Sequence, residues 1–161
     1  MINENEFVQR TVVLKEQQYR IAWAMLKNAA DCSDAMQEAA LKAWTKRHTL
    51  REDAYFSTWL IRILINECKT ILRKRKRYLL LPQVQEESVP PAATELQGEI
   101  DALPDKLRVP LVLYYFEGYA IKEVATLLSL HAGTVKNRLH QARKLLRLEL
   151  SQEKEERQYE R

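Results

Sequence analysis

The sequence predicts an all-α protein of two small helical domains, an N-terminal helical bundle and a C-terminal helix-turn-helix domain, joined by an acidic flexible linker. Three observations carry that expectation. The 161 residues contain only three Gly and five Pro, less than half of the roughly 12% that average usage gives, whereas strand-rich folds need both residues at many turns. Residues 1–81 contain neither, and all eight fall between Pro82 and Gly133. Apolar residues recur at helical rather than alternating spacing in both halves.

Taken in order, the first helix runs from about Glu6 to Asn28, with Tyr19, Ala22, Trp23 and Leu26 on one side. A second runs from about Ser33 to Arg47. Its apolar stripe is Met36, Ala39, Ala40, Ala43 and Trp44, while Asp34, Gln37 and Glu38 occupy another face. A third, from about Tyr55 to Tyr78, opens on Phe56, Trp59, Leu60, Ile63 and Leu64 and ends on five consecutive bases, Arg73 to Arg77. Cations at a helix C-terminus suit the macrodipole. From Leu79 to Leu103, Pro82, Pro90, Pro91 and Gly98 oppose long regular structure, with room for a short helix over Thr94 to Ala102. Pro104 suits the first turn of a helix passing through Leu107, Leu111 and Tyr115 and stopping near Gly118, although Pro110 lies inside that pattern.

Charge divides the chain in the same places. Residues 1–81 carry 15 Lys/Arg against 9 Asp/Glu, residues 82–105 none against 6, and residues 106–161 carry 11 against 7. Two basic blocks suit modules that each face a polyanion, separated by a segment that avoids one. The expected boundaries are a first domain over 1–78, a linker over 79–103, a second domain over 104–150 and a charged tail over 151–161.

Cys32 and Cys68 are too few for a disulfide scaffold, so reduced thiols in a cytoplasm are expected. Asn3, Glu4, Asn5 and Glu6 do not form the basic start of a secretory signal, and the apolar run Val109 to Phe116 is far shorter than the roughly 20 residues of a membrane span. His48, His131 and His140 show no metal-ligand spacing with the cysteines. Neither a phosphate-binding glycine loop nor a nucleophile elbow is present. No enzyme activity, metal, cofactor or small-molecule substrate is therefore expected.

Ile121, Val124, Ala125 and Leu128 mark a short amphipathic helix over 120–128. After Ser129, Leu130 and His131, a second helix buries Val135, Leu139, Ala142 and Leu146. Two helices joined by a three-residue turn have the spacing of a DNA-binding helix-turn-helix. At 100° per residue, Asn137, His140, Gln141 and Lys144 lie opposite the buried stripe. Between His131 and Arg147 there are five Lys/Arg and no acid. Lys136, Arg138 and Arg143 on the flanks reach toward backbone phosphates, and Asn137, His140 and Gln141 toward base edges. The residues alone leave open a solvated face or a protein-binding helix-turn-helix.

Tyr55, Phe56 and Trp59 stand ahead of the basic helix end, with Arg62, Asn66 and Lys69 between. Aromatics beside cations are what an unpaired nucleic-acid strand needs, yet Phe56 and Trp59 also fit the apolar stripe, which favours core. For Asp34, Gln37 and Glu38, pattern alone favours plain solvent exposure.

From about Tyr19 to Arg147 the order of segments resembles the two-domain, extracytoplasmic-function group of bacterial RNA polymerase sigma factors. Asp31-Cys32-Ser33-Asp34-Ala35-Met36-Gln37-Glu38 is similar to that family's D-A-E-D-x-x-Q-E stretch, and Phe56-Ser57-Thr58-Trp59-Leu60-Ile61-Arg62-Ile63 to its F-x-x-W-L-x-R-I segment. Leu103-Pro104, Tyr115-Phe116-Glu117-Gly118 and Gly133-Thr134-Val135-Lys136-Asn137-Arg138-Leu139-His140-Gln141-Ala142-Arg143 resemble its L-P, Y-F-E-G and G-T-V-K-S-R-L-x-R-A-R elements. The resemblance implies that Asp34, Gln37 and Glu38 dock on a coiled coil of the largest polymerase subunit. It implies that Phe56, Ser57, Thr58, Trp59, Arg62, Asn66, Lys69 and Arg73 read and melt the minus-ten element, with the loop from about Thr49 to Tyr55 holding an extruded base. Thr134, Lys136, Asn137, Arg138, His140, Gln141, Arg143 and Lys144 would read the minus-thirty-five element.

The implied function is that of a specificity subunit, which binds core RNA polymerase, directs it to promoter DNA and helps open the duplex. Relatives of this kind are commonly held inactive by an anti-sigma partner, often membrane-anchored. The alternative is a stand-alone helix-turn-helix regulator that binds DNA without polymerase. Ser129 stands where relatives usually carry Gly, at a cost of about 1–2 kcal/mol if that site is left-handed. His131 replaces a Ser or Thr cap worth about 1 kcal/mol. Gln141 and Thr70 replace a frequent Arg and Asp.

The linker supplies a geometric expectation. Fully extended, residues 79–103 span at most about 85 Å, but only roughly 25–30 Å as a relaxed coil. Promoter elements two helical turns apart are separated by on the order of 70 Å. Polymerase must hold the linker nearly extended, and the free protein is expected to bind promoter duplex weakly.

Overall fold

The computed structural model describes the backbone of residues 1–78 and 96–159, and the side chains of all of these except 149–159. Among the described residues every regular element is helical. The chain forms two compact units dividing between Pro91 and Ala92. Residues 79–95 of the expected linker lie outside the described residues.

In the first unit, α1 spans Glu4–Val13, α2 Lys15–Leu26, α3 Ala29–Thr45 and α4 Phe56–Arg77. Asn3 caps α1, its side-chain oxygen accepting the Glu6 N–H at 2.9 Å. The single helix expected over 6–28 is broken at Leu14. Thr11, Val12 and Val13 are β-branched and hold a helix poorly. The buried Gln18 then donates its amide to the Thr11 carbonyl at 3.3 Å, serving a group the break leaves open. α2 ends at Lys27, which adopts the left-handed conformation with φ 47°. Asn28 caps α3 by accepting the Asp31 N–H at 2.9 Å, so this helix begins four residues before the expected Ser33.

Ala35, Ala39 and Ala43 form the buried edge of α3. Small side chains let α2 and α4 approach α3 closely, and these are the helices it packs on. Leu60, Ile61, Leu64, Ile65 and Cys68 of α4 are fully buried, each large aliphatic contributing about 1.5–3 kcal/mol. Two ion pairs fasten α3 to α4, Lys42 to Glu67 and Arg75 to Asp31. Arg75 also donates through Nε to Asp31 at 3.1 Å. The run Arg73 to Arg77 is therefore not wholly a solvated end, since its middle residue is a structural tie.

In the second unit, α5 spans Gln97–Ala102, α6 Asp105–Leu111, α7 Ile121–Leu128 and α8 Ala132–Tyr159, with a π-helical turn over Val112–Phe116 between α6 and α7. Ile100 and Leu103 are buried and α5 packs on α8. The ordered unit thus begins within the expected linker, ahead of Pro104. Arg108 explains why. It is 1% exposed, donates to the Leu103 carbonyl at 2.7 Å and pairs with Asp105, tying the end of α5 to α6.

Pro110 has no N–H to continue the ladder, and the helix widens after it. The Glu117 N–H reaches back five residues to the Val112 carbonyl at 3.0 Å. Gly118, at φ +75°, then reverses the chain. Between α7 and α8, Ser129 is left-handed at φ 57°. Its N–H donates to the Thr126 carbonyl at 3.3 Å and that of Leu130 to the Ala125 carbonyl at 2.9 Å. These are the two bonds of a Schellman motif. α8 continues through residues expected to form a tail.

Candidate functional site

On α3, Asp34, Gln37 and Glu38 are all exposed, on the side away from Ala35, Ala39 and Ala43. At 100° per residue they share one arc of about 100°, and Leu41 falls inside it. Leu41 is 63% exposed. An apolar side chain set between a carboxylate pair and an amide makes this face amphipathic. Sequence reading passed over Leu41, although its spacing from Gln37 and Glu38 marked it. One residue further, Lys42 is fixed by Glu67, and that hydrogen bond raises its pKa.

Arg62, Asn66, Lys69 and Arg73 follow each other at intervals of four, three and four and form a stripe along α4. Arg62, Asn66 and Arg73 are exposed and Lys69 is half-buried. Arg73 is steadied by Thr70, whose hydroxyl accepts from it at 3.1 Å. Ser57, Thr58 and Trp59 are half-buried at the start of the helix.

Phe56 corrects the sequence reading. It is 4% exposed and lies in a core cluster with Ile2, Phe7, Ala43 and Leu60. Its ring packs edge-on to Phe7 with centroids 5.8 Å apart and lies 5.9 Å from Trp59. The apolar stripe prevails there, so Phe56 supports the site from beneath instead of offering a stacking face. The freely exposed aromatic is Tyr55, at 61%.

Helix α8 presents Lys136, Asn137, His140, Gln141 and Lys144 to solvent, with Val135, Leu139 and Ala142 buried behind them. Leu146, expected in the core, is half-buried, as are Thr134 and Arg138. Arg143 is also half-buried, and it donates to the Tyr115 hydroxyl oxygen at 2.6 Å. Expected as a free phosphate contact, it is instead engaged by the π-helical turn and anchors α8 there. The Tyr115 ring is in turn braced edge-on by Tyr114 at 4.9 Å.

Both cysteines are free and buried. Burial pushes the Cys32 thiol up to about 11 and the Cys68 thiol up to about 12, so neither is a nucleophile at neutral pH. Among the described residues no cluster of His, Cys, Asp and Glu is arranged to hold a metal ion. No helix among them is long and apolar enough to cross a membrane. What the unit surfaces offer is binding chemistry: an acid-amide-leucine face, a cationic stripe and an amide-cation helix face.

Two family models match these units, sigma-70 region 2 over residues 14–78 and sigma-70 region 4 over residues 93–146. The RNA polymerase sigma factor SigV of Bacillus subtilis is 30% identical over 86% of this chain and 87% of its own length. The ECF RNA polymerase sigma factor SigM of Mycobacterium tuberculosis is 34% identical over 79% of this chain and 68% of its own. Among solved structures, the sigma factor RpoE of Bartonella quintana, in complex with the anti-sigma factor NepR, superimposes with a TM-score of 0.74 at 23% identity, covering 90% of this chain and 96% of that one. CnrH, in complex with the cytosolic domain of CnrY, gives 0.68 over 92% of this chain and 90% of that one. The chain belongs to the extracytoplasmic-function sigma factors of the sigma-70 family, the promoter-specific initiation subunits of RNA polymerase.

Proposed function

We propose that the three faces divide the work of a sigma factor among themselves. Asp34, Gln37, Glu38 and the neighbouring Leu41 dock on core polymerase. Arg62, Asn66, Lys69 and Arg73, with Ser57, Thr58 and the edge of Trp59, follow the opened minus-ten strand. Lys136, Asn137, His140, Gln141 and Lys144, flanked by Thr134 and Arg138, enter the major groove of the minus-thirty-five element. The observation that carries this reading is the outward row Asn137, His140, Gln141 and Lys144 on α8, in a segment without acids. Amides at those positions suit base edges and the cations suit phosphates.

The protein works by binding alone, in the cytoplasm. Binding energy for an unpaired strand offsets the few kcal/mol of unstacking per extruded base. An anti-sigma protein is the expected regulatory partner, supported by the two related sigma factors solved with such partners or partner domains. Promoter selection by the reconstituted holoenzyme tests the division of labour. Asn137→Ala or Gln141→Ala is expected to change preference in the upstream element and leave the downstream one alone. A change confined to the downstream element would refute the assignment of α8.

A further inference from the structure

Helix α1 ends at Val13, just ahead of the residues matched by the region 2 model, and no motif gives it a role. It nevertheless forms one wall of a groove of about 430 Å³, with Gln9, Arg10 and Val13 on its side and Asp53, Phe56 and Ser57 opposite. Arg10 joins the two walls. Its Nη1 donates to the Asp53 carbonyl at 3.0 Å, its Nη2 donates to the Glu6 carboxylate at 2.8 Å, and its guanidinium carbon lies 5.7 Å from the centre of the Phe56 ring.

The volume is that of a small-molecule site, and the lining selects what can enter. Glu6 and the Asp53 carboxylate, 4.0 Å from Arg10, balance its charge, so a phosphate gains little there. A neutral planar ring gains more, because Phe56 and Val13 supply apolar surface and a guanidinium plane stacks on bases. Gln9 is exposed at the rim with an amide that both donates and accepts. The cationic stripe of α4 begins one to two turns beyond Ser57, so a strand laid along it reaches the groove.

We propose that α1 belongs to the promoter-opening machinery: Gln9 reads the edge of one unpaired base seated in this groove, and Arg10 is the positioning residue that holds the turn at Asp53 against α1. The proposal rests on the reading that this unit holds the opened minus-ten strand.

The test uses the assembled holoenzyme, a promoter library randomised across the minus-ten element, and promoters carrying the fluorescent base 2-aminopurine at each position in turn. Gln9→Ala is expected to flatten discrimination at a single position by about fivefold to a hundredfold, the span of one bidentate base contact. Val13→Trp, a change at a site 81% exposed, is expected to fill the groove. It should abolish the fluorescence change at that same position while core binding stays as in the unmodified protein. Arg10→Ala should lose discrimination at that position too, and Arg10→Lys should restore part of it. Base profiles and fluorescence that match the unmodified protein in both Gln9→Ala and Val13→Trp overturn the proposal, as does a uniform loss across all positions in Gln9→Ala. An unmodified holoenzyme with no minus-ten preference would overturn the underlying reading as well, and is distinguished by needing no variant.

Discussion

Replacing Ser129 by Gly should stabilise the second unit. Ser129 sits at φ 57°, ψ 46°, where an L-residue pays about 1–2 kcal/mol for the approach of its Cβ to the following carbonyl. Gly removes that strain but gives the unfolded chain more freedom, which takes back about 0.4–1 kcal/mol. The side chain is exposed, so little packing is lost, and the net gain is about 0.5–1 kcal/mol. For a unit of this size that raises the melting midpoint by about 2–8 °C. Far-ultraviolet circular dichroism of the full chain reads the helices of both units, whereas Trp23, Trp44 and Trp59 all lie in the first unit. Tryptophan fluorescence is thus an internal control that should not move. Amide exchange at Ser129 and Leu130, the donors of the turn, should slow. Gly118→Ala, at φ +75°, should act oppositely by about 1–2 kcal/mol. A Ser129→Gly midpoint equal to or below that of the unmodified chain would refute the strain argument.

Gln37→Ala is expected to weaken core-polymerase binding by about five- to thirtyfold, the range of a central interface residue, with promoter preference unchanged; unaltered core affinity in a titration would remove α3 from the docking surface. In the first unit, stability should fall as pH rises above about 9, the ordinary thiol value. The unfolded chain then releases protons that Cys32 and Cys68 retain until about 11 and about 12, at up to about 1.4 kcal/mol per pH unit per thiol. Lys42, raised above its usual 10.5, adds a loss in the same direction only beyond that value. Urea unfolding followed by tryptophan fluorescence should show the slope, and Cys68→Ala should make it shallower. Tyr115→Phe removes the acceptor that holds Arg143. It should weaken the anchoring of α8 by about 1 kcal/mol and steepen the salt dependence of holoenzyme binding by up to about 0.9 as the guanidinium turns to a phosphate. A slope that does not change would mean that Arg143 reaches DNA without leaving Tyr115.

Periodicity was informative wherever burial decides the outcome. The stripe Val135, Leu139 and Ala142 located the buried side of α8, and the residues opposite it are exposed as expected. The same logic found α3 and α4 and the turn at Ser129, because a glycine missing from a left-handed site leaves a visible mark. It misjudged positions where hydrogen bonding decides. The break at Leu14 has neither Gly nor Pro to announce it; it depends on weak β-branched residues and on Gln18 serving the Thr11 carbonyl. Lys27 is left-handed without a glycine, and only its neighbour Asn28, a cap, hints at a boundary.

Arginines were the hardest to read, because one side chain type serves solvent, a carboxylate or a carbonyl. Arg75 faces Asp31, 44 residues away in sequence, Arg108 is buried against the end of α5, Arg143 leans on Tyr115, and Arg10 spans a groove. None of those partners is fixed by local spacing. Phe56 shows the converse: its motif position implied a DNA contact, whereas its place in the apolar stripe determined where it packs.

The central claim is that this chain selects promoters only as part of RNA polymerase, and run-off transcription from a promoter library tests it most directly. Core enzyme supplemented with this protein should yield transcripts from templates sharing two short upstream elements, while the protein alone binds those duplexes weakly. Tight, sequence-specific binding by the free protein, with no transcript when core enzyme is added, would contradict the account and favour a stand-alone regulator.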